Sequence, residues 1–344
     1  MIRTRNVAIP FSRRGLTLIE VLVAILIICL LACWIAPAFQ SARVNNRRIQ
    51  CLHNIRNVGL AMQNYAAINS GRLPDLVSTK VITNGQGQQG KMSVPWTVQL
   101  LPVLDNATLL KSIRAHAVVN QGVASVNLGE GFENVAIDSF VCPDSSAYRK
   151  PGQLSYVVNA GHMPHNVWGT STNNSPALVD WMTPPNPGDA NDIAAGQAMG
   201  VIWPEGFVSS LEYIATGDGI STTILLTENL QAGNWYDTQT SALGFGIQLP
   251  VSLTTAYPNA GTASDPLLIK QAPHPDNWFI NRNWSAARSK SPRPSSNHQG
   301  GVNVVMADGS LKFLSENMDK TVFMKLMTPN GIAYGEQDLG PASY

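Results

Sequence analysis

Charge is scarce in this sequence: 13% of its 344 residues are charged, and 23 Lys and Arg stand against 22 Asp and Glu. A chain so balanced lacks the phosphate-directed surplus that nucleic acid requires, so nucleic acid is excluded as a partner. Cysteine is scarce too. The four present are Cys29, Cys33, Cys51 and Cys142, with neither a CxxC pair nor the Cys/His spacing of a zinc finger. G-x-S-x-G, HExxH, a P-loop and a Gly-rich dinucleotide loop are all missing. Cys142 has no nearby basic cluster to activate it as a nucleophile. The expectation is a non-enzymatic protein without an obligatory cofactor.

What the chain does have is a long apolar run with a carboxylate at its start. Residues 13–20 read Arg-Arg-Gly-Leu-Thr-Leu-Ile-Glu, and Val21 to Ala36 follow without a charge. Arg3, Arg5, Arg13 and Arg14 precede Leu16 with no acid among them. A charged side chain at the centre of a bilayer costs roughly 2.5–3.5 kcal/mol on insertion scales, so Glu20 needs a partner or a purpose. A secretory signal peptide would be cut at the small-x-small stretch Ala36-Pro37-Ala38. A lipoprotein would be acylated at Cys33, behind Leu30-Leu31-Ala32. Neither reading uses Glu20, because the core of a disposable segment gains nothing from a carboxylate. A third reading cuts between Gly15 and Leu16 and keeps the apolar segment as a permanent helix.

Arg13-Arg14-Gly15-Leu16-Thr17-Leu18-Ile19-Glu20 resembles the start of type IV prepilins and of the pseudopilins of type II secretion systems, with Leu16 where that family usually has Phe. The resemblance implies cleavage after Gly15 by a prepilin peptidase/N-methyltransferase and methylation of the new amino terminus at Leu16. It also implies membrane lipid around the helix, and pairing of Glu20 with the amine of a neighbouring pilin-like subunit. A carboxylate and an amine buried together cost far less than either alone. Pro37, the twenty-second residue from Leu16, stands where pilins bend their helix, and a mid-helix proline removes a hydrogen bond. Arg43, Arg47, Arg48 and Arg56 follow the run and offset the arginines before it, so the positive-inside rule assigns no orientation. The resemblance alone puts residues 1–15 in the cytoplasm and the bulk of the chain in the periplasm or at the cell surface. Arg43, Arg47 and Arg48 read as the solvated face of an interfacial helix in preference to lipid-headgroup contacts.

Helical periodicity continues beyond Pro37. Leu52, Ile55, Gly59, Met62 and Ala66 recur at spacings of three and four, so one helix is expected from Leu16 to about Ala67, on the order of 75 Å long. Later segments are short: helices at Trp96 to Leu104, Ala107 to His116 and Asp319 to Met327, and strands at Ala136 to Val141, Leu154 to Asn159, Thr222 to Thr227, Val302 to Ala307 and Leu311 to Leu314. Asp308-Gly309 between the last two is a hairpin signal. Asn84 to Gly90, Thr183 to Gly188 and Lys290 to Ser296 read as loops. The fold class expected is α+β, with a long helix packed on a β-rich head. Its parts are a leader at 1–15, a transmembrane helix at 16–39, an amphipathic continuation at 40–70 and a head at 71–344.

Several segments also resemble the prepilin-like proteins with domain of unknown function 1559. They are Arg48 to Ile55 with Asn64-Tyr65, Trp96 to Pro102, Phe140 to Pro143, Asp218-Gly219 leading to Thr227-Glu228-Asn229, and His298 followed after nine residues by Asp308-Gly309. The resemblance implies the pilin-like helix and a β-rich head, and little about activity. Asp218, Glu228, His298 and Asp308 are the candidate polar site, and a Ca²⁺ ion held by carboxylate and loop oxygens is chemically reasonable there. The alternative has both aspartates making turns and His298 bonding to backbone. Cys51 and Cys142 either close a long disulfide loop or remain buried thiols. Trp168, Trp181, Trp203, Trp235, Trp278 and Trp284 lie in Gly/Pro-rich stretches, where they either plug a core or offer ligand-stacking surfaces. Two functions follow: a structural subunit, most simply a minor pseudopilin, or a membrane-tethered binding head that does not polymerise. Mass spectrometry of the mature amino terminus separates the processing routes, with methylated Leu16 expected. A start at Cys33 or Phe39 would establish the lipoprotein or secreted form instead.

Overall fold

The computed structural model describes residues 15, 17–120, 123–125, 132, 134–145, 150–164, 197–203, 209–249, 279–282 and 286–334. It is α+β, with an N-terminal helix, α1 (Leu18–Ile68), and a β-sheet-rich body. The chain divides into two compact units, Met1–Arg47 and Arg48–Tyr344, so the division falls inside the segment expected at 40–70.

In the first unit, α1 begins with a capping box. Glu20 Oε2 accepts hydrogen bonds from Thr17 N (2.8 Å) and Thr17 Oγ1 (2.9 Å), and Glu20 N reaches back to Thr17 Oγ1 at 3.4 Å. The Leu, Ile and Val side chains from Leu18 to Leu31 are 44–80% exposed. No helix among the described residues is long and apolar enough to cross a membrane. The described apolar stretch, Leu18 to Ala32, measures about 22 Å at 1.5 Å per residue, short of a bilayer core of about 30 Å. The side chains of residues 33–45, which the expected span at 16–39 requires, lie outside the described set. Leu16 lies outside it as well, as does the Pro37 side chain with the bend expected there.

In the second unit the helical periodicity becomes packing. Cys51, Ile55, Val58, Gly59, Met62 and Ala66 are buried on one side of α1, while Leu52, expected on that side, is half-buried. Their partner is a five-stranded sheet of order β7-β5-β6-β8-β9, made of β5 (Tyr156–Pro164), β6 (Ile224–Glu228), β7 (Gly244–Leu249), β8 (Gly301–Met306) and β9 (Leu311–Ser315). All its pairings are antiparallel except β5 with β7. Three contacts tie α1 to the sheet: Tyr156 Oη donates to Cys51 O (3.1 Å), Gln63 Nε2 donates to Ala307 O, and Arg48 lies 4.8 Å from the centre of the Phe313 ring. At Gly59 helix and sheet lie close together, and a Cβ there would lie 2.7 Å from Val305 Cγ1 of β8.

A second sheet, order β1-β2-β4-β3, comprises β1 (Val77–Thr83), β2 (Gln89–Pro95), β3 (Val118–Asn120) and β4 (Val123–Ser125). The expected loop at Asn84 to Gly90 is the tip of its β1–β2 hairpin, and Gln89 and Gly90 already belong to β2. Short helices follow at α2 (Trp96–Leu100), α3 (Ala107–Ala115), α4 (Leu211–Thr216), α5 (Thr240–Leu243) and α6 (Lys320–Lys325). On α6 and the turn after it Phe323, Met324, Leu326 and Met327 are buried, and Val322 is half-buried. The β8–β9 hairpin forms where Asp308-Gly309 indicated, with Gly309 at φ +82°.

One expected strand is absent. Residues 138–140 form a single 3₁₀ turn instead, because the Asn54 amide of α1 donates to both Asp138 O (2.9 Å) and Val141 O (2.8 Å). Those carbonyls are therefore committed to a side chain and not to a ladder. Trp203 and Trp235 are core residues, their indole N–H groups donating to Gly200 O (2.8 Å) and Val135 O (3.0 Å). Trp168, Trp181, Trp278 and Trp284 and the expected loop at Thr183 to Gly188 lie outside the described residues.

The Gly59 contact generates a prediction. Helix propensity alone favours Gly59→Ala by about 0.5–1 kcal/mol. The added Cβ meets Val305, so the variant is expected to lose roughly 1 kcal/mol or more through overpacking. In a Val305→Ala background the same change should become stabilising, as read by urea unfolding. An equal effect in both backgrounds would remove the steric account.

Candidate functional site

At one end of the five-stranded sheet, between β6, β8 and α1, polar groups gather in the core. Glu228, the last residue of β6, is 2% exposed. Its Oε2 accepts from Asn303 N (2.9 Å), Asn303 Nδ2 reaches both carboxylate oxygens (3.2 and 3.1 Å), and Oε1 lies 3.1 Å from His298 Nε2. Side chains alternate along a strand, so Asn303 shares the face of Val305, the one turned to α1.

His298 precedes β8 in a turn stitched by Ser296, whose Oγ donates to Gly301 O (2.7 Å) and accepts from His298 N (3.1 Å). The ring is thereby aimed inward. Its Nδ1 lies 3.5 Å from Asp144 Oδ2, and its Nε2 is 3.8 Å from Cys142 Sγ as well as close to Glu228. Cys142 forms a disulfide with Cys51 of α1, closing a sequence separation of 91 residues. Asn297 Nδ2 donates to Asp144 O (2.6 Å), holding the segment after Cys142 against the same turn.

Electrostatically, one imidazole stands between two carboxylates. Burial pulls the His298 pKa down, but the hydrogen bond to Glu228, the charge of Glu228 and that of Asp144 together outweigh burial and the opposing charge of Arg48. The net shift is upward, toward the imidazolium that donates to Glu228. Burial, with the Glu228 charge adding to it, pushes the Tyr156 phenol well above its ordinary range, which keeps it a neutral donor to Cys51 O. Arg293 is fully buried nearby in sequence, and among the described residues its guanidinium nitrogens have no hydrogen-bond partner. Burial lowers its pKa to about 10, so it remains a cation at neutral pH.

Only two of the four residues expected to share a site do so. Glu228 and His298 meet, whereas Asp308 is exposed in the β8–β9 turn, where its Oδ1 accepts from Ser310 N (2.8 Å). Asp218 lies elsewhere, its carboxylate accepting from Gly331 N (2.7 Å), Ile332 N (3.1 Å) and Thr328 Oγ1 (3.1 Å). A Ca²⁺ site built from all four is therefore corrected: the two aspartates are turn and cap residues. His298 is corrected in the other direction, since its ring faces a carboxylate and not backbone. Asn303 and Asp144 were missed. An Asn inside the apolar run Val302 to Ala307 was a signal for the first; Asp144 carried none beyond following Cys142-Pro143.

The nine-residue spacing between His298 and Asp308-Gly309 now has a structural reason. It is the length of a turn plus β8, which puts the imidazole beside the disulfide at one end and the hairpin turn at the other. At that end Ala307 O accepts from Gln63 of α1. The family model described as Protein of unknown function (DUF1559) matches residues 40–321, most of the chain and every residue of this cluster. The chain belongs to that family. A second model, the Prokaryotic N-terminal methylation motif, matches residues 11–32 and marks a type IV pilin- or pseudopilin-like protein anchored through its amino terminus. Neither a curated protein nor a solved structure matches the chain.

Because the folded pKa of His298 is raised above the 6.5 of the free side chain, its contribution to stability is fully present below that value and is lost as pH rises through the folded pKa. In the disulfide-bonded DUF1559 protein, the melting-temperature gap between wild type and His298→Gln should be several degrees at about pH 5.5 and shrink by about pH 9. A gap independent of pH would assign His298 a packing role alone.

Proposed function

We propose that this DUF1559 protein is a membrane-anchored, pilin-like structural subunit, a minor pseudopilin of a type II secretion or type IV pilus-like system. In this reading a prepilin peptidase cuts after Gly15 and methylates Leu16. Residues 16–39 then lie in the cytoplasmic membrane, and the head stands in the periplasm or at the cell surface. The observation that carries it is the methylation motif at residues 11–32, continuous with a helix whose apolar side chains from Leu18 to Leu31 are exposed. In water such a surface is unfavourable at about 25 cal/mol per Å², whereas lipid removes the penalty. A long helix whose second half packs on a sheet supports the pilin-like assignment. The role is structural rather than catalytic, in keeping with a buried cluster whose Glu228, His298 and Asn303 are engaged with one another.

Glu20 is the only acidic residue among the first 74. Its carboxylate is not stranded in the single chain, because Thr17 satisfies it. After cleavage at Gly15 the new amine at Leu16 would be one residue from Thr17. Assembly then exchanges two local hydrogen bonds for an ion pair with a neighbour's amine, in lipid, where an unpaired charge is costly.

A second reading, a tethered binding head that does not polymerise, draws on a groove of ≈ 260 Å³ lined by Tyr65, Met92, Val98 and Leu110, with Lys80 and Arg114 contributing charge. Cell fractionation discriminates the two, since a subunit cofractionates with sheared filaments. Glu20→Ala and Glu20→Gln are both expected to be cleaved after Gly15 yet to enter assemblies poorly, because both lack the charge. Gln keeps a hydrogen-bonding group for Thr17. Normal incorporation of Glu20→Gln would reduce Glu20 to a helix cap, and normal incorporation of both would end the assembly role.

A further inference from the structure

The polar cluster holds one more chemistry. Cys51 Sγ, Cys142 Sγ, His298 Nε2 and a Glu228 carboxylate oxygen all lie within 4.8 Å of one another, and all four residues are buried. Two thiolates, an imidazole and a carboxylate are a ligand set for tetrahedral Zn²⁺. Around such an ion, bond lengths of about 2.0–2.3 Å put S···N edges near 3.6 Å and N···O edges near 3.3 Å. Here the Cys142 Sγ to His298 Nε2 distance is 3.8 Å and the His298 Nε2 to Glu228 Oε1 distance is 3.1 Å. The edge that metal and disulfide cannot share is the one between the sulfurs, which are bonded to each other in one form and must part to about 3.8 Å in the other.

The surroundings are those of a metal site as well. A metal-bound histidine characteristically gives its other ring N–H to a carboxylate, and His298 Nδ1 faces Asp144 Oδ2 at 3.5 Å. The carboxylate ligand is itself oriented by Asn303 through its backbone N–H and its side-chain amide. With His298 neutral, Glu228 and Asp144 leave the pocket with an excess of negative charge, to which two thiolates would add. A dication relieves that excess. Asp144, whose side chain is 21% exposed, marks the way in.

We propose that the reduced DUF1559 protein binds one Zn²⁺ through Cys51, Cys142, His298 and Glu228, with Asp144 orienting His298, and that the disulfide is the oxidised form of the same site. The chemistry balances with a phosphine as reductant. The phosphine takes oxygen from water and becomes its oxide, while two electrons and two protons convert the disulfide to two thiols. Zn²⁺ then displaces both thiol protons, along with the Nε2 proton of His298, to the solvent. The disulfide and the metal are thus alternative cross-links joining α1 to the segment after the 3₁₀ turn.

The test uses the full-length chain in detergent, reduced with a phosphine and titrated with Co²⁺ as the spectroscopic probe, with circular dichroism following the fold. Reduced protein is expected to take up one equivalent, with a thiolate-to-cobalt charge-transfer band in the near ultraviolet and visible bands of tetrahedral intensity that Zn²⁺ abolishes. Oxidised protein should take up none. Asp144→Asn, which removes no ligand, is expected to weaken binding by about 10–100-fold while keeping the band. The Cys51→Ser, Cys142→Ser double variant should lose it. The proposal is overturned if folded, reduced protein shows no charge-transfer band, if the oxidised form binds equally, if Asp144→Asn binds as tightly as wild type, or if reduction unfolds the chain and added metal does not restore it.

Discussion

A carboxylate buried in an apolar core imposes conditions on everything near it. Glu228 is 2% exposed, and an ionised group so placed is tolerated only when its oxygens are fully engaged. Three groups on two residues meet that demand: the Asn303 side chain, the Asn303 backbone and the His298 ring. Removing one partner of a buried charge pair typically costs about 3–5 kcal/mol, more than any single apolar contact in the same layer contributes. The end of β6, the start of β8 and the turn before it are therefore fixed relative to one another by one side chain. The position of Cys142 against α1 follows from the same arrangement, since the ring that reaches Glu228 also lies beside the sulfur.

The disulfide adds a second constraint of a different kind. Closing a separation of 91 residues removes freedom from the unfolded chain, worth about 4–5 kcal/mol in the chain-entropy model. It joins the first buried position of α1 in the second unit to the body, and Asn54 secures the same segment one turn further along. Beyond those two points the helix is held by the packing of Ile55, Val58, Met62 and the bare backbone of Gly59 against Val305, and by the hydrogen bond from Gln63 to Ala307 O. Covalent, polar and steric contacts succeed one another along a single helical face.

Much of this architecture was legible because the signals were local. A three-and-four periodicity specified the buried face of α1, and Asp-Gly between apolar runs specified the β8–β9 hairpin. The β1–β2 hairpin was not legible: its tip reads as loop, while Val77–Thr83 and Gln89–Pro95 mix lysine, glycine and glutamine into weak alternation. β7 was hidden by Gly244 and Gly246, which lower strand propensity without preventing parallel pairing with β5. The segment 136–141 carries a strand pattern that tertiary contacts override, since Asn54 claims its carbonyls. At the site, Glu228 and His298 stood out as polar residues beside strands. Their meeting depends on the pairing of β6 with β8, a non-local fact, and the separation of Asp218 and Asp308 from them is non-local for the same reason.

The strand between His298 and Asp308 behaves as a ruler. Successive residues of a strand face opposite sides, so its composition and its length are under different rules. Exchanging one apolar residue of β8 for another alters local volume and little else. Adding or deleting a single residue would turn Asn303 away from Glu228 and Val305 away from Gly59 at once, and would shift the hairpin turn out of reach of Gln63. Within β8, one change in count would thus undo the polar, steric and hydrogen-bonded anchors of the helix together, so the segment can vary in letters but not in number.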